Sequence, residues 1–139
     1  MKPRRSRKND LVAAAERLFA ERGYHGATLR DITGAAGVPL GLAPYYFGSK
    51  ELLFQAVLQR REPQLRATLT DAADRVLSQS PRPDFRAIIE AYIAPQVELL
   101  HVDENWRDYF QILNQLAGFD DRVVRGAPLF ASFHAVIER

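Results

Sequence analysis

Cysteine is absent from the 139 residues, which rules out a disulfide framework or a thiolate metal site and fits a reducing compartment. No apolar run approaches the roughly 20 residues of a membrane span, and the charged N-terminus lacks the apolar core of a secretion signal. A nucleophile paired with a base, a phosphate-cradling glycine loop and a paired metal-ligand motif are also missing. These gaps point to a soluble, cytoplasmic protein with no membrane partner, no catalytic residues, no cofactor and no metal site. An excess of one charge is missing too, since the net charge is only +2, but its distribution is uneven. Residues 1–50 hold nine Lys/Arg against four Asp/Glu, whereas residues 51–139 hold ten against thirteen. The basic end begins with Lys2, Arg4, Arg5, Arg7 and Lys8, a run suited to phosphates or a minor groove and equally to a solvated tail.

What is present is concentrated in TLRDITGAAGVPLGLAPYYFGSK, residues 28–50. Thr28 and Asp31 stand three apart, a capping-box-like helix start in which hydroxyl and carboxylate satisfy free backbone N–H groups. Leu29, Ile32 and Ala36 follow at helical spacing until Gly37, which can take the left-handed conformation of a tight break. Val38 is placed to plug the angle, and Pro39 suits the first position of a second short helix. Two helices at a sharp corner form the helix-turn-helix layout, whose second helix is presented to the major groove.

Before this stretch, Leu11, Val12, Ala15, Leu18 and Phe19 predict a helix from about residue 9 or 10 to 22, ended by Gly23. His25 reads as a loop residue, with no second metal ligand at useful spacing. After it, Ser49 caps a long helix in which Leu52, Leu53, Ala56 and Val57 give way to Arg60 and Arg61, and Pro63 is expected to bend it. Ser80-Pro81-Arg82-Pro83 breaks the chain, and Asp84 caps a helix so rich in apolar residues that central burial is expected. A further helix is predicted from about Glu104 to Ala117, and another from Leu129.

The segments LVAAAERLFAERGYHGATLRDITGAAGV and GLAPYYFGSKELLFQAVL resemble the DNA-binding end of the tetracycline-repressor (TetR) family of bacterial transcriptional regulators. The resemblance covers about residues 10–58 and rests on LF-x-x-x-G-Y, the Thr-capped helix, A-G-V at the turn and Y-F-x-S-K-E-x-L in fixed order. It implies an all-α protein: a three-helix helix-turn-helix DNA-binding domain, here 1–48, then a helical ligand-binding and dimerisation domain, here 49–139. The last predicted helix has no stop signal before Arg139, so the second domain reads as truncated, and dimerisation is expected only of a full-length chain. The function implied is a repressor released from a double-stranded DNA operator by a small-molecule effector.

The resemblance also places Tyr45, Tyr46, Lys50 and Thr28 on phosphates. A phenol can donate to a phosphate oxygen, a lysine adds charge, and a helix N-terminus favours anions. Arg30, exposed on the capped helix, and the basic arm with Arg4 and Arg5 complete the expected contacts, with Leu40 and Gly41 at the start of the recognition helix. The chain departs from the family pattern at Pro39, Leu40, Pro44 and Thr33. Leu40, Leu42, Ala43 and Pro44 offer base edges no hydrogen bonds. Pro44 removes a bond to the residue-40 carbonyl, at about 3 kcal/mol in a helix interior, and predicts a kink or early stop. Thr33, β-branched, must turn its hydroxyl outward or toward a carbonyl.

For the effector, Tyr92, Trp106, Phe110, Asn114 and Phe133 are the candidate pocket residues, against the plainer reading that most are core packing. His101, Asp103 and Glu104 read as a helix end rather than a metal site. Two alternatives stay open: a ligand-binding or protein-interaction module with a degenerate DNA-binding head, and a helical enzyme domain.

Overall fold

The computed structural model describes residues 6–116, and all regular structure among them is helical: α1 (Arg7–Gly26), α2 (Leu29–Ala36), α3 (Leu42–Phe47), α4 (Lys50–Gln79), α5 (Phe85–Val102) and α6 (Asn105–Leu116). Helix α1 starts at Arg7, earlier than its apolar stripe predicts, because helical bonding begins with the Asp10 amide donating to the Ser6 carbonyl at 3.0 Å. Arg7 and Lys8 therefore belong to a helix. Gly23, at φ 74°, interrupts α1 where the sequence placed its end, and a last turn to Gly26 follows.

The described residues divide into two compact units. One takes the chain up to Arg60 together with Asp108–Gln115; the other takes Arg61–Arg107 and Leu116. In the first, Leu11, Ala15, Phe19, Ile32, Leu53 and Val57 are fully buried, so the stripes of α1, α2 and the start of α4 share one core. An aromatic cluster extends it: Phe19 meets Phe54 edge-on at 5.0 Å and stacks with Tyr24 at 5.9 Å. Two side chains of α6 close backbone carbonyls in this unit. The Tyr109 hydroxyl donates to Leu58 O at 3.1 Å, and Gln115 Nε2 donates to Ala20 O at 2.9 Å, near the Gly23 break.

In the second unit the apolar stripe of α4 does not simply fade into charge. Arg61, 9% exposed, takes the next stripe position, pairs with Asp103 at 3.3 Å and lies 5.2 Å from the Trp106 ring. A guanidinium can be buried so because it is weakly hydrated and stacks on aromatic faces. Neighbouring Glu62 is also buried; its Oε1 sits 3.3 Å from Arg66 Nε without an aligned hydrogen bond. Helix α4 continues through Pro63 as one element.

Helix α5 corrects the expectation of central burial. Asp84 caps it as predicted, accepting from the Ala87 amide at 2.8 Å, but only Pro95 and Leu99 are buried, while Phe85, Ile93, Val97 and Val102 are exposed. A helix apolar around most of its circumference needs cover on several sides, and here only those two residues are buried, with Tyr92 and Gln96 half-buried. Helix α6 buries Trp106, Tyr109, Ile112 and Leu116, with Phe110 half-buried. No helix of the described residues is long and apolar enough to cross a membrane.

Candidate nucleic-acid interface

The corner between α2 and α3 is built from local chemistry at every step. Thr28 Oγ1 accepts from the Asp31 amide at 3.1 Å and Asp31 Oδ2 accepts from the Thr28 amide at 3.2 Å, so the capping box is complete. Arg22 of α1 lies 3.3 Å from the same carboxylate, tying the start of α2 to the preceding helix. Bonds from the Thr28 side chain, then its backbone, with Arg22 adding charge, hold the Asp31 carboxyl below the usual carboxylate range. Thr33 turns its hydroxyl to the Leu29 carbonyl at 2.8 Å and is buried. At the other end Gly37 is left-handed, φ 68°. Its amide donates to Gly34 O and the Val38 amide to Thr33 O, the paired bonds of a glycine-capped helix end. Val38 is half-buried in the angle.

The second helix starts later than predicted. Pro39 is not its first residue: Pro39, Leu40 and Gly41 form a turn whose carbonyls accept from Leu42, Ala43 and Tyr45, and α3 begins at Leu42. Pro44 is therefore the third residue of the helix and causes neither kink nor interruption. Amides of a first turn have no intrahelical acceptor, so the missing N–H leaves nothing unpaired, and Leu40 O is satisfied by the Ala43 amide at 3.3 Å. The helix stops at Gly48, φ 84°, whose amide donates to Pro44 O. Ser49 then caps α4, its hydroxyl accepting from the Leu52 amide at 3.2 Å.

Ala43, 1% exposed, seats α3 on the first unit, and Phe47 one turn on is half-buried. Tyr45 on the opposite side is 77% exposed and Leu40 is 45% exposed, while Tyr46 is half-buried with its ring 5.2 Å from that of Tyr45. Thr28, Arg30 and Gly41 are exposed. Arg4 and Arg5 lie outside the described residues. Lys50 is half-buried, with Nζ 4.6 Å from the centre of the Tyr24 ring, and Lys8 Nζ lies 5.6 Å from that of Phe47. The two aromatic seats were not foreseen; Tyr24 and Lys50 are too far apart in sequence for any local pattern to pair them. Burial, and then the charge of Glu51, push the Tyr24 phenol above its ordinary range, keeping it neutral.

Tyr92, half-buried, and Trp106, buried, fall in the second unit; Phe110, half-buried, and Asn114, exposed, fall in the first; Phe133 lies outside the described residues. The His101 ring is taken by the Val97 carbonyl at 2.8 Å, and Asp103 caps α6, accepting from the Asn105 amide at 2.9 Å. That bond first, then the Asn105 side chain and Arg61, keep the Asp103 carboxyl below its usual range. Among the described residues no three His, Asp or Glu come together as a metal site.

Residues 11–57 match the sequence model of bacterial regulatory proteins, tetR family. Those residues belong to the TetR family. Among TetR-family and related regulators, it is 36% identical over 90 residues to the HTH-type transcriptional activator FasR of Mycolicibacterium smegmatis, covering 65% of this chain and 40% of that protein. It is 33% identical over 109 residues to the HTH-type transcriptional repressor BepR of Brucella suis, covering 76% of this chain and 48% of that protein. The chain thus spans less than half the length of these two relatives. In structure it is similar to a TetR-like transcriptional regulator from Rhodococcus sp. RHA1, with TM-score 0.55 and 25% identity over 85% of this chain and 66% of that one.

Proposed function

We propose that this chain is a DNA-binding transcriptional regulator that reads an operator through α2 and α3, and that in its complete form it is a homodimeric repressor released by a small-molecule effector. The observation that carries the reading is the exposed face of α3 and the turn before it: Ala43 anchors the helix inward while Leu40 and Tyr45 stand outward, and Thr28 and Arg30 are exposed as well. On this reading Tyr45, Tyr46, Thr28, Arg30 and Lys50 bind phosphates, Arg4 and Arg5 follow the backbone or minor groove, and Leu40 and Gly41 approach base edges. Leu40 can touch a thymine methyl but accepts and donates nothing, so much of the specificity would come from DNA shape. The relatives' names support regulation and divide between activator and repressor.

The division of labour proposed is a DNA-binding head at 1–48 and a regulatory part at 49–139, with Tyr92, Trp106, Phe110, Asn114 and Phe133 as effector candidates. Two heads would be needed for a full operator, whose half-sites lie roughly 34 Å apart. A mobility-shift titration on genomic fragments tests the reading. Retardation that weakens steeply as salt rises, and is abolished by Tyr45→Ala with Lys50→Ala, is the expected result. Retention unchanged by that double variant would refute it.

A further inference from the structure

Lys50 and Lys8 share an arrangement that the helix-turn-helix does not require: each carries its ammonium on the face of an aromatic ring from another element. The closer pair is Lys50 on Tyr24, at 4.6 Å. At that distance the negative face of the ring attracts the cation, and the N–H bonds pointing away from the ring remain free to donate elsewhere. The ring itself cannot wander. It stacks with Phe19 at 5.9 Å and meets Phe54 edge-on at 5.1 Å, and both of those phenylalanines are buried. A lysine without such a seat must surrender most of its rotamer freedom when it meets a phosphate. Here part of that ordering is already done in the free protein.

We propose that Tyr24 is a positioning residue for DNA binding, acting through Lys50: the core-anchored ring holds the ammonium where a phosphate of the duplex is to be met. The proposal rests on the DNA-binding reading above, and its two measurements separate the two. In the free full chain, NMR should find the ε-methylene protons of Lys50 shifted upfield by the ring current of Tyr24. The shift should persist in Tyr24→Phe and vanish in Tyr24→Leu. Its absence from the native chain would overturn the proposal.

Binding to a mixed-sequence DNA duplex is then measured across a salt series in a double-mutant cycle. Lys50→Ala should reduce the slope of log affinity against log salt by roughly 0.9, the signature of one lost phosphate contact. Tyr24→Leu should weaken binding about two- to fivefold while Lys50 is present, the worth of an exposed cation–ring contact, and should change nothing once Lys50 is Ala. Tyr24→Phe should bind as the native chain does. An equal loss in both backgrounds would mean that Tyr24 acts only as packing, and would overturn the proposal. If Tyr24→Leu does not fold, a ring-fluorinated phenylalanine at 24 keeps the shape and loses the negative face. Affinity equal to that of Tyr24→Phe would then be the refuting result. If the native chain binds no duplex, both readings fall, and the ring-current shift shows whether the geometry survived them.

Discussion

Helices α2 and α5 begin in the same way and end up in opposite environments. Thr28 opens one and Asp84 the other, each accepting a hydrogen bond from an amide of the first turn. Yet α2, only eight residues long, buries Ile32 completely, while α5, with eighteen residues and far more apolar side chains, leaves Phe85 at 78% and Ile93 at 50% exposure. The contrast separates two kinds of information. Helix ends are written in side chains within a turn of each other, whereas burial depends on what lies across from the helix, which no property of the helix itself specifies.

The largest expected effect probes that contrast directly. Ile32→Ala should cost about 2–5 kcal/mol in denaturant unfolding, and Ile93→Ala less than about 0.5 kcal/mol. A large loss at Ile93 would show that the face of α5 is covered in solution and would break the comparison. Next comes the corner. Gly37→Ala should cost about 1–2 kcal/mol, since a Cβ at φ 68° is strained although it would meet open space. Gly34→Ala, whose Cβ also meets nothing, should instead stabilise α2 by about 0.5–1 kcal/mol. The pair sharpens the claim that conformation, not crowding, requires glycine at 37.

The cap is a smaller term. Thr28→Ala should cost about 1 kcal/mol at neutral pH. Because the folded-state pKa of Asp31 is depressed, its contribution is present above the unfolded value near 3.9 and is lost as pH falls through the lower folded value. Urea unfolding of Asp31→Asn across an acid series should therefore show a shallower loss of stability below about pH 4 than the native chain. The smallest effect is also a test of sign. Pro44→Ala should leave helix content unchanged and lower stability by about 0.4–1 kcal/mol through the looser unfolded chain. Were Pro44 a defect in a helix interior, its removal would raise stability by about 3 kcal/mol.

Much of the local structure was legible in the sequence. Thr28 with Asp31, Gly37, Ser49 and Asp84 all act where the letters placed them, because caps and left-handed glycines work through neighbours in sequence. Pro39 and Pro44 were misjudged for a related reason. Either proline suits a first turn, and which one occupies it depends on where α3 starts, fixed by the Pro39–Gly41 turn and by Ala43 packing inward. Arg61 looked like the end of an apolar stripe because its partners, Asp103 and Trp106, come from a distant part of the chain. Lys50 was expected at the phosphates by resemblance; that its ammonium lies on the Tyr24 ring is a tertiary fact.

The central claim is that α3 stands out from the first unit as a DNA-reading surface. Selection of bound sequences from a random duplex pool tests it most directly. The account predicts that one motif enriches with the native chain and fails to enrich when Tyr45 and Lys50 are both alanine. A pool that stays random with the native chain, or the same motif recovered by the double variant, would contradict it.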